Sequence, residues 1–210
     1  MRPDATTTPV QVKLPPAPPG LVIGLMGGSF NPPHAGHLQI ARTALKSLKL
    51  DRLWWIVTPG NPLKSGRDLA PLADRMAASR RLIGSDRRMH ITSFEAPLGL
   101  SFSVDTIAFL QRRYPGTRFV WVMGADNLAS FHRWRHWRQI AVRLPIAVVD
   151  RPGWHLAAIA SPAGRALAAR RIAPPAARAL AAKPPPVWTF LSGPLSPASS
   201  TALRAAKPSA

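Results

Sequence analysis

The chain has 210 residues, room for one ordinary α/β domain or two small ones, and 46% of them are apolar, enough for a sizeable core. It has no cysteine, which excludes disulfides, thiolate metal sites and thiol catalysis. The formal charge is +19, and a surplus this large attracts anions: nucleotides, polyphosphates, nucleic acid or membrane surfaces.

Residues 1–20 are rich in Thr and Pro and end in "KLPPAPPG". Such a composition cannot bury enough surface to offset its ordering entropy, so a disordered tail of polyproline character is expected. It has no charged start followed by an apolar stretch, and no apolar run in the chain approaches the ~20 residues that span a bilayer. A cytoplasmic protein is expected. From residue 21 a rhythm begins. "LVIGLM" (21–26) reads as a buried strand, and "AGHLQIARTALKSL" (35–48) places Leu38, Ala41, Leu45 and Leu48 at helical spacing. "RLWWIVTP" (52–59) is strand-like, "LADRMAASRRLI" (72–83) helical, and "RMHITSF" (88–94) a short strand. "SVDTIAFLQRRY" (103–114) reads as a helix closed by Pro115 and Gly116. "RFVWVMG" (118–124) is a strand with a helical stretch after it, and "LPIAVVD" (144–150) is a fifth strand. The Ala, Arg and Pro-rich segment 154–186 predicts one broken helix and loops. "VWTFL" (187–191) predicts a sixth strand, and "SPASSTALRAAKPSA" starts as a loop that turns into a short helix.

Strands with continuous apolar runs, alternating with helices, predict an α/β fold with a doubly wound parallel sheet covered on both faces. One domain over residues 21–204 is expected, with a short C-terminal tail at 205–210. Ligands of such sheets sit beyond the carboxyl ends of the strands.

"MGGSFNPPHAGHL" (26–38) lies at that edge, directly after the first strand. Gly27 and Gly28 allow a sharp turn and close approach of a ligand to the main chain. Pro32 and Pro33 stiffen the loop, and the helix begins near Ala35 with free N–H groups and a positive dipole end, which together form an anion site. His34 and His37, three apart, can face the same way on the first turn. Each can donate to a phosphate oxygen, each gains if protonated, and Gly36 leaves room for a bulky ligand between them. Zinc needs a third ligand, and His90, His132, His136 and His155 stand in unrelated contexts, so no protein metal site is expected. The glycines do not form G-x-G-x-x-G, and no Gly-Lys-Ser/Thr of a P-loop occurs. In "SSTALR" (199–204), a helical turn would gather Ser200, Thr201 and Arg204, a set that suits a polyphosphate; a hydroxyl cap followed by a surface Arg is the plainer alternative. Gly124 and Asp126 follow the fourth strand at the same sheet edge, where Asp126 could also be a helix N-cap.

"GSFNPPHAGHL" resembles the G-x-F-D/N-P-x-H-x-G-H signature of the HxGH nucleotidyltransferase superfamily. "PGNPLK" (59–64), "SFSVDT" (101–106), "WVMGADNLASFHRW" (121–134) and "VVDRPG" (148–153) resemble stretches of the bacterial nicotinate-nucleotide adenylyltransferase family. "SSTALR" resembles the I-S-S-T-x-I-R motif that closes the superfamily's active site, so the resemblance runs from about Leu21 to Arg204. It implies a Rossmann-like nucleotidyltransferase fold and adenylyl transfer from ATP to nicotinate mononucleotide, giving nicotinate adenine dinucleotide and pyrophosphate in NAD biosynthesis. It implies His37 and His34 as catalytic residues. It places ATP against Gly27, Gly28, Ser29, Phe30, His34, His37, Gly124, Asp126, Ser200, Thr201 and Arg204. The nicotinate mononucleotide would meet Lys64, Ser103, Trp134 and Arg135. Trp134 would stack on the pyridine ring, in a stretch, "FHRWRHW", too polar for a buried segment. Ser103 stands where the family usually has Thr, and it could instead be a helix N-cap. Arg135 stands where many members carry Tyr, and its guanidinium would add attraction for the nicotinate carboxylate. Lys64 is a phosphate contact or an exposed loop lysine. Mg²⁺ would be held mainly by ATP oxygens and water. The acceptor phosphate has a second pKa of ~6 and needs no general base, so the chemistry reduces to positioning and charge stabilisation.

Two rival readings are carried. An enzyme of the same superfamily transfers adenylyl to 4′-phosphopantetheine, but it usually has Thr where His34 stands and lacks the Gly-Ala-Asp plus Trp pair. A basic nucleic-acid-binding module is invited by Arg165 to Arg178, yet that segment has no interleaved aromatic residues, so neither nucleic acid nor membrane is an expected partner.

Overall fold

The computed structural model describes residues 12–60 and 69–194, together with Ser196, Ala198 and residues 200–205. Among these residues seven strands lie in one sheet: β1 (Val22–Gly28), β2 (Arg52–Val57), β3 (Met89–Thr92), β4 (Arg118–Gly124), β5 (Ile146–Val149), β6 (Arg171–Ile172) and β7 (Trp188–Leu191). Their order is β3-β2-β1-β4-β5-β7-β6, and every pair is parallel. Eight helices accompany them among the described residues: α1 (Ala35–Ser47), α2 (Leu72–Ile83), α3 (Ser103–Arg113), α4 (Ala125–Ser130), α5 (Trp137–Arg143), α6 (His155–Ala160), α7 (Pro162–Ala166) and α8 (Ser200–Ala205). None is long and apolar enough to cross a membrane.

The continuous apolar strands explain this architecture. Successive side chains on a strand point to opposite faces, so a strand covered on both sides must be apolar throughout. Trp54 and Trp121 enter one core with Ile107 and Leu110 of α3 and Ile140 of α5. Their neighbours Trp55, Val120 and Val122 enter the other, with Ile40 and Ala44 of α1 and Ile83 of α2. The chain winds outward in two directions from β1, which pairs with both β2 and β4. That junction is the switch point, where the carboxyl ends of neighbouring strands open a crevice.

The helices predicted over 72–83 and 35–48 form as α2 and α1, the latter one residue shorter, and the 118–124 strand forms with the same bounds. The last third is more broken than one interrupted helix. It holds α6, α7, 3₁₀ segments at Ala168–Arg170 and Pro174–Ala182, and the two-residue edge strand β6 between them.

Residues 1–11 of the expected tail lie outside the described residues, but 12–20 are tied to the domain and correct that expectation. Ala17 is buried. The Thr117 hydroxyl donates to Ala17 O (3.0 Å), the Gly20 amide donates to Gly116 O (2.8 Å), and Arg52 donates to Pro16 O. Prolines with preset φ lose little entropy on docking, so these few bonds suffice.

Candidate active site

The loop after β1 does not turn at its glycines. Gly27 and Gly28 are the last residues of the strand, and the left-handed residue is Phe30, at φ 46°. The glycines serve ring packing. A Cβ on Gly27 would lie 3.0 Å from Trp121 Cη2, and one on Gly28 would lie 3.3 Å from Phe30 Cζ. The Phe30 ring is buried, stacks on Trp55 (centroids 4.9 Å) and meets His37 edge-on (5.0 Å). Its side chain therefore supports the histidine, and only its main chain is placed to meet a ligand.

His34 is the N-cap of α1 and His37 is its third residue. His34 Nδ1 accepts from the Gly36 amide (3.1 Å), and His37 Nδ1 accepts from the His34 amide (3.3 Å). This is a reciprocal capping box built from two imidazoles, whose rings lie 3.8 Å apart between centroids. Because both Nδ1 atoms accept amide protons, each ring carries its own proton on Nε2. Burial, and secondarily the Arg151 cation, push the His34 pKa from 6.5 down to about 4. The expectation that His34 gains by protonation is thus corrected: it is a neutral donor near pH 7. Gly36 leaves no gap for a ligand either. A Cβ there would sit 3.0 Å from Ala198 O and 3.0 Å from both His34 Cε1 and Nδ1, so the missing side chain makes room for the C-terminal segment and the His34 ring.

The opposite wall comes from the ends of β4 and β5 and from α8. Gly124, not Asp126, is the N-cap of α4. Asp126 Oδ2 pairs with Arg151 Nη1 (3.2 Å), while Asp126 Oδ1 is buried with no hydrogen-bond partner among the described residues. A Cβ on Gly124 would collide with that same Oδ1, so any larger residue there must displace the Asp126 carboxylate. Arg151 Nη2 also donates to Ala198 O (2.7 Å), which joins β5, α4 and the C-terminal segment. Arg151 was within reach of the sequence in "VVDRPG", as a cation directly beyond a strand's carboxyl end, but no pattern there tied it to Asp126. In α8 the Ser200 hydroxyl donates to Pro32 O (3.0 Å) and Arg204 Nη1 donates to Asn31 O (2.6 Å). Arg204 Nη2 reaches Thr201 Oγ1 (3.5 Å), so the turn gathers the three residues as expected.

A second cluster flanks the first. Trp134 is half-buried and meets Trp121 (6.2 Å) and Phe131 (5.3 Å) edge-on. Trp121 is also the ring that fills the space beside Gly27, so one indole links the two clusters. The Arg135 guanidinium lies over the Phe102 ring (4.5 Å). Ser103 is the first residue of α3 and does not cap it; the N-cap is Phe102. Lys64 lies outside the described residues. Sequence reasoning passed over two buried charged residues nearby. Glu95 accepts a hydrogen bond from the Thr106 hydroxyl beneath the first turn of α3, and burial pushes its pKa up to about 7, against the pull of that bond. Arg75 of α2 is 2% exposed and bonded to main-chain carbonyls.

Among the described residues no group of three His, Cys, Asp or Glu could hold a metal ion. Asp126 is engaged by Arg151 and Asp150 by His155 (3.0 Å). The donor set does not fit a resident cation.

A parallel sheet with a histidine-capped helix start at its switch point is a site built for an anionic ligand. Residues 25–206 match the cytidylyltransferase-like family, and the chain belongs to it. It is 54% identical over 184 residues to a probable nicotinate-nucleotide adenylyltransferase of Agrobacterium fabrum, covering 88% of this chain and 98% of the relative. It is 53% identical over 187 residues to one of Rhizobium meliloti, covering 89% and 99%. The chain is thus a member of the nicotinate-nucleotide adenylyltransferase family. The Rossmann-like fold is shared with the nicotinic acid mononucleotide adenylyltransferase of Plasmodium falciparum complexed with NaAD. The TM-score is 0.65 at 13% identity, over 88% of this chain and 83% of the other.

Proposed function

We propose that the protein transfers the adenylyl group of ATP to the 5′-phosphate of nicotinate mononucleotide. An acceptor phosphate oxygen bonds to the α-phosphorus, the bond from that phosphorus to the β-phosphate oxygen breaks, and pyrophosphate leaves. The products are nicotinate adenine dinucleotide and pyrophosphate. The observation that carries the reading is the α1 capping box at the switch point, two imidazoles whose Nδ1 atoms accept amide protons and leave Nε2 as the donor side, beside a helix N-terminus.

In this reading His37 donates to an α-phosphate oxygen as charge builds there, and His34 holds the phosphates in line. The unpartnered Asp126 Oδ1 accepts from an ATP ribose hydroxyl, a bond that supplies its missing donor. The main chain at Gly27, Gly28, Ser29 and Phe30 and the edge at Gly124 border the nucleotide. Ser200, Thr201 and Arg204 exchange their loop-carbonyl and internal bonds for the β- and γ-phosphates. Mg²⁺ arrives as part of the substrate, on the triphosphate oxygens of MgATP. The pyridine ring lies against Trp134, and its carboxylate meets the Ser103 hydroxyl, the Arg135 amide and the Arg135 cation. Lys64 meets the acceptor phosphate. One domain, with residues 12–20 docked on it, carries the reaction, in the cytoplasm where ATP is supplied.

The test is pyrophosphate release from MgATP with nicotinate mononucleotide, nicotinamide mononucleotide and 4′-phosphopantetheine as rival acceptors. The highest kcat/KM with nicotinate mononucleotide is expected. Faster turnover of 4′-phosphopantetheine, or none with either pyridine nucleotide, overturns the reading.

A further inference from the structure

Arg75 is a buried cation for which the chemistry above has no use. Among the described residues no carboxylate pairs with it. Its partners are four carbonyl oxygens: Nε donates to Ala70 O (2.8 Å), Nη1 to Ser29 O (2.7 Å) and Thr58 O (2.8 Å), and Nη2 to Pro59 O (3.3 Å). Taking a guanidinium out of water with no counter-ion is costly, and an apolar side chain of similar length would fill the volume without that cost. What an apolar residue cannot do is hold four carbonyls from three segments at fixed angles, which the planar fork does.

Those segments matter. Ser29 belongs to the loop that runs from β1 into the histidine pair. Thr58 and Pro59 follow β2 and lead into the stretch that carries Lys64. Ala70 precedes α2, and its amide donates to Asn31 Oδ1 (3.2 Å), a second tie between the same loops. Peptide planarity adds a directional effect. The carbonyl of one residue and the N–H of the next share a plane and point opposite ways. Anchoring Ser29 O and Pro59 O therefore turns the Phe30 and Gly60 amides away from the guanidinium. The other two carbonyls, of Thr58 and Ala70, precede prolines and so have no N–H to orient.

We infer that Arg75 is a positioning residue for adenylyl transfer. Its fork locks the carboxyl-end loops of β1 and β2 to each other, and with them the α-phosphate and the acceptor phosphate that must meet in line. The inference rests on the function proposed above. It differs from a merely structural role in what it moves: the alignment of two bound substrates, rather than the amount of folded protein or the hold on either substrate alone.

The experiment compares the full-length wild type with Arg75→Lys and Arg75→Gln. Lysine keeps the charge but donates from a single point, and glutamine keeps one amide donor group. Turnover is normalised to folded protein, and binding of a non-hydrolysable ATP analogue and of nicotinate mononucleotide is measured separately by calorimetry. Amide exchange is followed at Phe30 and Gly60. A misplacement of ~1 Å costs roughly 10²-fold in rate, so kcat of each folded variant is expected to fall by about that factor while each dissociation constant moves by about threefold or less. Faster exchange at both amides accompanies the loss. Unchanged kcat per folded molecule in either variant, or a loss matched by weaker binding of a single substrate, overturns the inference. If wild type does not turn over nicotinate mononucleotide, the proposed function fails first. The exchange then decides by itself, and unchanged protection at Phe30 and Gly60 in the variants overturns the positioning role.

Discussion

Replacing His34 by Asn isolates the cost of keeping that imidazole neutral. Asparagine is a good N-cap and can still accept the Gly36 amide, so the helix start is retained and only the titration is removed. In the unfolded chain the imidazole protonates as pH falls through 6.5; in the folded protein it resists until about 4. Its folded pKa is depressed, so its contribution is at its full value above 6.5 and is lost as pH falls from 6.5 toward about 4. At about 1.4 kcal/mol per pH unit, that gap is worth about 3 kcal/mol in full, of which about 2.5 has been lost by about pH 4.5. The assay is urea unfolding of both proteins at about pH 7.5 and 4.5, with the wild-type change referred to the variant. That subtraction matters because Glu95 has the opposite slope over part of the range and is common to both. The expected result is that the wild type loses about 2.5 kcal/mol more than His34→Asn on acidification. Parallel losses in the two proteins would mean that His34 takes up its proton in the folded state as readily as in the unfolded one. The neutral-donor description of the site would then be wrong.

His37→Ala is expected to lower kcat by roughly 10²–10³, the size of losing one donor to a developing charge, and near-normal pyrophosphate release from that variant removes His37 from the chemistry. Glu95→Gln keeps an acceptor for the Thr106 hydroxyl without the titration. Because the folded carboxyl has its pKa raised from 4.5 to about 7, wild type is at full strength below 4.5 and loses about 3 kcal/mol as pH rises through about 7. Denaturation at about pH 5 and pH 8 is expected to show about 2.5 kcal/mol of that loss in wild type and none in the glutamine variant; identical slopes would refute it. Gly36→Ala gains helix propensity of about 1 kcal/mol but sets a Cβ 3.0 Å from Ala198 O and the His34 ring. Turnover is expected to drop about tenfold or more with little change in the urea midpoint, since the strain falls on the placement of His34 and α8. Unaltered kcat would show that this contact does not fix either.

The sheet was legible because its strands are apolar on both faces, and no other architecture buries such runs so economically. β6 was not legible. Two residues, Arg171 and Ile172, carry no period, and their strand exists because β7 offers an edge. The docked stretch 12–20 was hidden for a related reason. Its composition describes the free chain, whereas its bonds go to Gly116 and Thr117, about a hundred residues away. The same distance effect hid Arg75. In "LADRMAASRRLI" it is one of three arginines on an amphipathic helix, and only the positions of Ser29, Thr58, Pro59 and Ala70 turn it from a surface charge into a clamp.

The histidine pair is a different case, because its spacing stood in the sequence and points to phosphate contact, while its second use, closing the helix, shows only in the structure. Residues three apart at a helix start occupy the N-cap and N3 positions, the spacing of a capping box, and an imidazole Nδ1 accepts an amide proton as a Ser or Glu oxygen does. Using both Nδ1 atoms to close the helix has two consequences at once. It fixes the ring tautomers with Nε2 as donor, and it commits the lone pair that a second proton would need. Two positive charges a few ångströms apart would repel each other, and a charge on His34 would also face Arg151 and lose its water. A neutral His34 avoids that repulsion and still presents an N–H donor to an anion. The spacing that begins the helix is therefore also what decides the kind of donor the site can offer.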